Sequence, residues 1–382
     1  MPRKAPVWKA AVNVVLAVAT IVLIIAVLLR VIPMIEHRPA RHVPVLTIVA
    51  QFLLLMLLFP PVVLAHELGH AIAGTLAGWR LQSLFVGPWR FIREGRRARL
   101  VLHRSFFYYG GAAVVVPREW GTDERVRRSF RGMVAGGPLA SFLTGIACIA
   151  LLRALSPDSG VPKGGARFYL FVAGVMSFGI GIGTLLPIRQ TRAIRNDGLQ
   201  LLLTRPRRPL DPGIRLGALV LMLTERRPRD WTPEMLAVLA ASAPAQREGF
   251  EYYHALDVGD VSRARATLQA TLDRVSGVDG VPGARARQEA ALEAAIFETA
   301  WRGDAPAGRE WLSIGRDAQA WDPHAFALAQ AAIHAAAGDA TTAAHMLARG
   351  EREALQRIIA RVDLLRAPLI ERIRAMSAPA LS

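Results

Sequence analysis

The sequence predicts an all-α membrane protein: about four transmembrane helices, a small β-hairpin or sheet inserted among them, and a soluble helical C-terminal domain. Three observations carry this. Hydrophobic residues make up 52% of the 382, more than ordinary soluble domains contain. Four uncharged stretches each run for about 20 residues, enough at 1.5 Å per residue to cross a hydrocarbon core of roughly 30 Å. From about residue 232 onward, Ala, Glu, Arg and Leu dominate and apolar residues fall at helical spacing.

The uncharged stretches are residues 10–29, 43–65, 132–152 and 168–188. The first follows Arg3, Lys4 and Lys9, as a signal peptide would. Its apolar run is too long for one and no small-residue cleavage site follows, so it reads as a retained anchor. The second runs directly into His66. Residues 80–131 hold twelve Arg against four acidic residues, and Arg189, Arg192, Arg195, Arg205, Arg207 and Arg208 follow the fourth stretch. The other two connections are poorer in basic residues. By the bias of basic loops toward the cytoplasm, both termini and the Arg-rich loop are expected there, in a bacterial inner membrane. The net charge of +17 suits an anionic membrane surface, and no nucleic-acid partner is expected. Cys148 is the only cysteine, so no internal disulfide can form and the thiol reads as packing.

The expected organisation is an anchor and loop at 1–43, a membrane core at 44–203, a basic linker at 204–231 and a helical domain at 232–382. Within the core, an Arg-rich insertion spans 80–125. Its segments 81–92, 99–108 and 112–116 are rich in β-branched and aromatic residues, with Gly95 and Gly110-Gly111 between them as turns. They predict a hairpin or small sheet on the membrane surface, or else a solvated charged loop. In the tail, Gly-Asp recurs at 259–260, 303–304 and 338–339, each time between helical stretches. Intervals of 44 and 35 residues resemble degenerate tetratricopeptide-type hairpins, whose period is about 34. Such a stack would offer a protein or peptide partner a concave surface; a plain helical bundle is the alternative.

The chemistry centres on His66-Glu67-Leu68-Gly69-His70. On a helix, His66 and His70 share one face a turn apart, and two imidazoles so placed can hold one Zn²⁺. Glu67, beside them, is in position to act as general base and then as general acid. Two His and a Glu beside an uncharged apolar run are costly to bury without a purpose; water and headgroups at the interface are the bland alternative. Catalytic zinc usually takes three protein ligands and one open position. Asp197, in Arg195-Asn196-Asp197-Gly198, is the candidate for the third, although Asn-Asp-Gly alone also reads as a turn or cap.

With these residues the chain resembles the site-2 protease family of intramembrane zinc metallopeptidases. That family carries His-Glu-x-x-His on one transmembrane helix and Asp-Gly on a later one, after an Asn-x-x-Pro segment. His66, Glu67, His70 and Asp197-Gly198 match. Thr184-Leu185-Leu186-Pro187 matches with Thr in place of Asn. The resemblance gives that Asn a role in holding substrate or the oxyanion, which would fall to Thr184, Pro187 or Asn196. The family's Gly-Pro element on its middle helix corresponds to Gly136, Gly137 and Pro138. The resemblance covers about residues 45–203. It implies a membrane-protein substrate, cut within or beside a transmembrane segment.

Small residues recur every four positions at Gly137, Ser141 and Gly145, at Gly132, Gly136 and Ala140, and at His70, Gly74 and Gly78. Such stripes let helices pack closely in lipid. The glycines of 178–184 predict local unwinding of the fourth segment, tolerated where backbone lines a water-containing cavity. A different class of reading is a catalytically degenerate scaffold that recruits partners through its tail, for which Thr184 speaks; a transporter would need an inverted repeat, and none is visible.

Overall fold

The computed structural model describes residues 45–94, 97–102, 110–155, 165–187, 195–206, 209–354 and 362–377. The expected anchor at 10–29 lies outside them. Among the described residues, three helices are long and apolar enough to cross a membrane: Met56–Leu76, Asp123–Leu155 and Arg167–Leu185. The chain divides into two compact units, the first built from 1–66 and 138–183, the second from 67–137 and 184–382.

Helix α1 spans Val45–Leu76. The uncharged run stops at Ala65, but the helix continues for three more turns. His66 therefore stands about two-thirds of the way along α1, not at its end. Helix α2 (Asp123–Leu155) begins nine residues before the uncharged stretch, because its charged first turns are as helix-competent as the apolar ones. Helix α3 (Gly165–Leu185) stays helical through the glycines of 178–184, against the expected unwinding. In an apolar medium the helix is the conformation that satisfies each backbone group within its own segment. Pro187 follows its end, where the residue before a proline leaves the α region.

In the first unit, α2 and α3 meet through small residues. A Cβ on Gly145 would come within 2.8 Å of the Phe178 ring, and one on Gly174 within 3.2 Å of Cys148 Cβ. Phe142 and Phe178 rings lie 6.1 Å apart. Leu143, Ile146, Leu151, Val175 and Ile182 are left exposed, as lipid-facing side chains would be.

The second unit holds the sheet and the helical tail. Four antiparallel strands, β1 (Trp79–Val86), β2 (Trp89–Glu94), β3 (Arg97–Leu102) and β4 (Gly111–Pro117), lie in the order β3-β2-β1-β4. The run read as one segment at 81–92 is two strands, because Gly87-Pro88 turns the chain with Gly87 at φ +53°, a conformation glycine adopts without strain. Residues 212–224, inside the stretch read as linker, form helix α5 (Pro212–Thr224), with α4 (Asp197–Leu203) before it. Asp211 caps α5 by accepting from the Gly213 and Ile214 amides, and Pro212 takes the first helical position. Leu219, Met222 and Leu223 of α5 are buried in one cluster with Val116, Trp231 and Met235.

Downstream come α6 (Pro233–Ala240), α7 (Pro244–Asp257), α8 (Val261–Ser276), α9 (Gly280–Arg302), α10 (Ala305–Ile314), α11 (Pro323–Ala336), α12 (Ala340–Ala354), α13 (Val362–Leu365) and α14 (Ala367–Ser377). Helices α7/α8, α9/α10 and α11/α12 pack as hairpins. Each hairpin turns on one recurring Gly-Asp pair. Gly259, Gly303 and Gly338 have φ of +82°, +71° and +79°, and Asp260, Asp304 and Asp339 accept from the amides of Arg263, Ala307 and Thr342. The glycine ends one helix in the left-handed conformation and the aspartate caps the next. Tyr252, Leu292, Phe297, Leu328 and Leu369 share the core of this region. Buried Arg366 ties hairpins together, 2.7 Å from Glu293 and 3.1 Å from Asp322.

Asp257, at the end of α7, binds the preceding turn. Its side chain is fully enclosed, with Arg227 at 2.8 Å and Arg229 at 2.7 Å. Burial acts to raise this carboxyl, but hydrogen bonds from Arg227 and Arg229 outweigh it and hold it below the usual carboxylate range. Its stabilisation is therefore present above the unfolded value near 3.9 and is lost as pH falls through the lower folded value. Asp257→Asn is expected to cost about 2–3 kcal/mol at neutral pH, since both arginines are partly solvated. Denaturant unfolding checks this, with the deficit shrinking as pH falls below the unfolded value. A deficit that stays constant to strong acid contradicts it.

Candidate metal centre

The motif residues sit on α1 with one side turned inward. His66 and Glu67 are buried, whereas Leu68 and Ile72 are exposed. His66 and His70, one turn apart, face the same way.

Both imidazoles are held through Nδ1. His70 Nδ1 lies 3.0 Å from the carbonyl oxygen of Met133 on α2. A carbonyl only accepts, so Nδ1 carries a proton, and in the neutral ring Nε2 is the lone-pair nitrogen. His66 Nδ1 lies 2.8 Å from Ser141 Oγ, both groups being buried. Gly137 makes room for the His70 ring: a Cβ there would stand 2.2 Å from Nε2. Gly136 lets α2 approach α1, since its Cβ would stand 2.4 Å from the Gly69 carbonyl oxygen. Pro138, next in line, lies buried within α2.

Asp197 opens α4 and is buried. Its place is set by its neighbours. Asn196 caps α4, with Oδ1 accepting from the Leu199 amide at 3.2 Å, and Nδ2 donates to the Leu186 carbonyl. Gly198 presses on the same segment: a Cβ would fall 1.8 Å from the Leu185 carbonyl oxygen, a distance no side chain could occupy. Arg195 reaches Asp211 at 2.9 Å. The 184–187 segment is thus clamped against Asn196-Asp197-Gly198; Thr184 is half-buried and Pro187 exposed.

Asp197 Oδ2 lies 3.5 Å from His70 Nε2. His66, a turn earlier on the same unbroken helix, completes a group: ligand atoms of His66, His70 and Asp197 lie within 4.8 Å of one another. Two imidazoles and one carboxylate are the donor set of a catalytic zinc site, so these residues fit that ion. Sequence reasoning missed the Met133 carbonyl and the Arg195–Asp211 pair, which no motif marks. It placed Ser141 in a packing stripe, where its hydroxyl was the one polar signal.

No curated protein and no solved structure matches the chain. The family model of peptidase family M50 matches residues 51–359, well over half of the chain and beyond the 45–203 that the motifs alone covered. With that match, the site-2 protease resemblance becomes a family assignment: the chain belongs to peptidase family M50, a family of metallopeptidases.

Proposed function

We propose that the protein is an intramembrane zinc metalloprotease that hydrolyses peptide bonds within or next to transmembrane segments of other membrane proteins. The gathering of His66, His70 and Asp197 around one point carries this reading. These three residues would hold the zinc. Bound there, zinc supplies Lewis acidity, which polarises a carbonyl and lowers the pKa of water toward about 7.

The chain's own residues supply the rest. Glu67, next to His66 and outside the ligand set, takes a proton from the attacking water and returns it to the leaving amine. The carbonyl of Met133 orients the His70 imidazole. Asn196, through its cap and its bond to the 184–187 segment, keeps Asp197 in place. Thr184 and Pro187 line the approach of the substrate backbone. The site lies on a helix long and apolar enough to cross a membrane, so the substrate is a membrane protein, and the tail hairpins serve as a cytoplasmic platform for a protein or peptide partner. The test is Glu67→Gln assayed on single-pass membrane substrates with zinc content measured alongside: cleavage stops and zinc stays.

A further inference from the structure

We propose that Ser141 is a positioning residue, whose hydroxyl holds the orientation of the His66 ring for metal binding. The inference rests on the zinc reading above. His66 and Ser141 are 4% and 1% exposed, and Nδ1 and Oγ are 2.8 Å apart, so no water competes for either group. On the other imidazole, Nδ1 is held by the Met133 carbonyl, which leaves Nε2 for a ligand. Ser141 engages the Nδ1 edge of His66 through a hydroxyl; when that hydroxyl accepts from Nδ1–H, the Nε2 edge is the one turned to the metal. Ligating histidines need such an outer partner to hold ring and tautomer.

The position of Ser141 follows from α2. Gly137, Ser141 and Gly145 repeat every four residues along one face. Gly137 admits the His70 ring and Gly145 admits the Phe178 ring, and neither tolerates a Cβ there. Between them, the one hydroxyl-bearing residue meets His66. A stripe that served packing alone would be satisfied by Ala at 141. Gly181 lets α3 approach Ser141, since a Cβ there would lie 3.2 Å from Ser141 Cβ. Serine is the smallest side chain that carries a hydrogen-bonding hydroxyl.

The experiment measures zinc affinity of the full chain in detergent by chelator competition, for wild type, Ser141→Ala and Ser141→Cys. The visible spectrum of each Co²⁺-substituted protein and the melting of each metal-free protein are recorded alongside. Ser141→Ala is expected to bind zinc about 10–100-fold more weakly with an altered Co²⁺ spectrum, Ser141→Cys to fall between, and the metal-free proteins to melt together. Unchanged affinity and spectrum in Ser141→Ala overturn the inference. So do equal losses in both variants accompanied by early melting without metal, which is the mark of a packing role. A wild-type chain that binds no zinc overturns the proposed function itself, which separates the two failures.

Discussion

Glu67→Gln is expected to lower peptide-bond cleavage by about 10²–10⁴-fold while zinc stays bound. The amide has the size and shape of the carboxylate but cannot accept and return a proton. Glu67 lies outside the His66, His70 and Asp197 group, so metal binding does not depend on it. Glu67 is 7% exposed, and a neutral amide of the same size is cheaper to bury than a carboxylate. Cleavage of single-pass substrates in proteoliposomes and zinc by mass spectrometry read the two effects separately. Full cleavage by the variant removes Glu67 from the chemistry. Loss of zinc with loss of cleavage would make Glu67 a ligand instead.

Gly198→Ala should reduce zinc binding about as severely as removing Asp197 itself. The added Cβ would stand 1.8 Å from the Leu185 oxygen and 2.3 Å from its carbon. These are backbone atoms near the end of α3, not the tip of a side chain that could swing aside. Relief requires moving α4, and with it Asp197, away from the 184–187 segment. Displacement by about 1 Å is enough to break ligand geometry, which must hold to within ±0.2 Å. The tail hairpins lie far along the chain with their own core, so limited proteolysis should leave them as in wild type. A Gly198→Ala protein with full zinc occupancy contradicts this account of the Asp-Gly pair.

Much of the site could be read from the residues. His66, Glu67 and His70 announce themselves by spacing on a helix, and Asp197 by the need for a third ligand near the end of a later apolar segment. What could not be read was where along the helix they sit. Charge alone marked the end of the apolar run at Ala65, whereas the helix runs to Leu76 because buried, engaged His and Glu side chains do not stop it. The tail's Gly-Asp pairs were legible for a local reason: a left-handed glycine followed by a capping aspartate is written in two adjacent residues. The sheet's extra turn at Gly87-Pro88 was equally local and was passed over inside a β-rich run. Helix α5 was hidden by the Arg and Pro residues before it, although Asp211-Pro212 is a cap followed by a first-turn proline. The Met133 carbonyl and the clamp by Gly198 depend on contacts between segments more than 10 residues apart, and no local pattern encodes them.

The central claim, that His66, His70 and Asp197 together hold a catalytic zinc, is tested most directly by the zinc content of purified full-length wild type beside Asp197→Ala. The account predicts one zinc per wild-type chain and its loss from the variant at micromolar free zinc. A wild-type chain without zinc, or an Asp197→Ala chain that keeps it fully, would contradict the account.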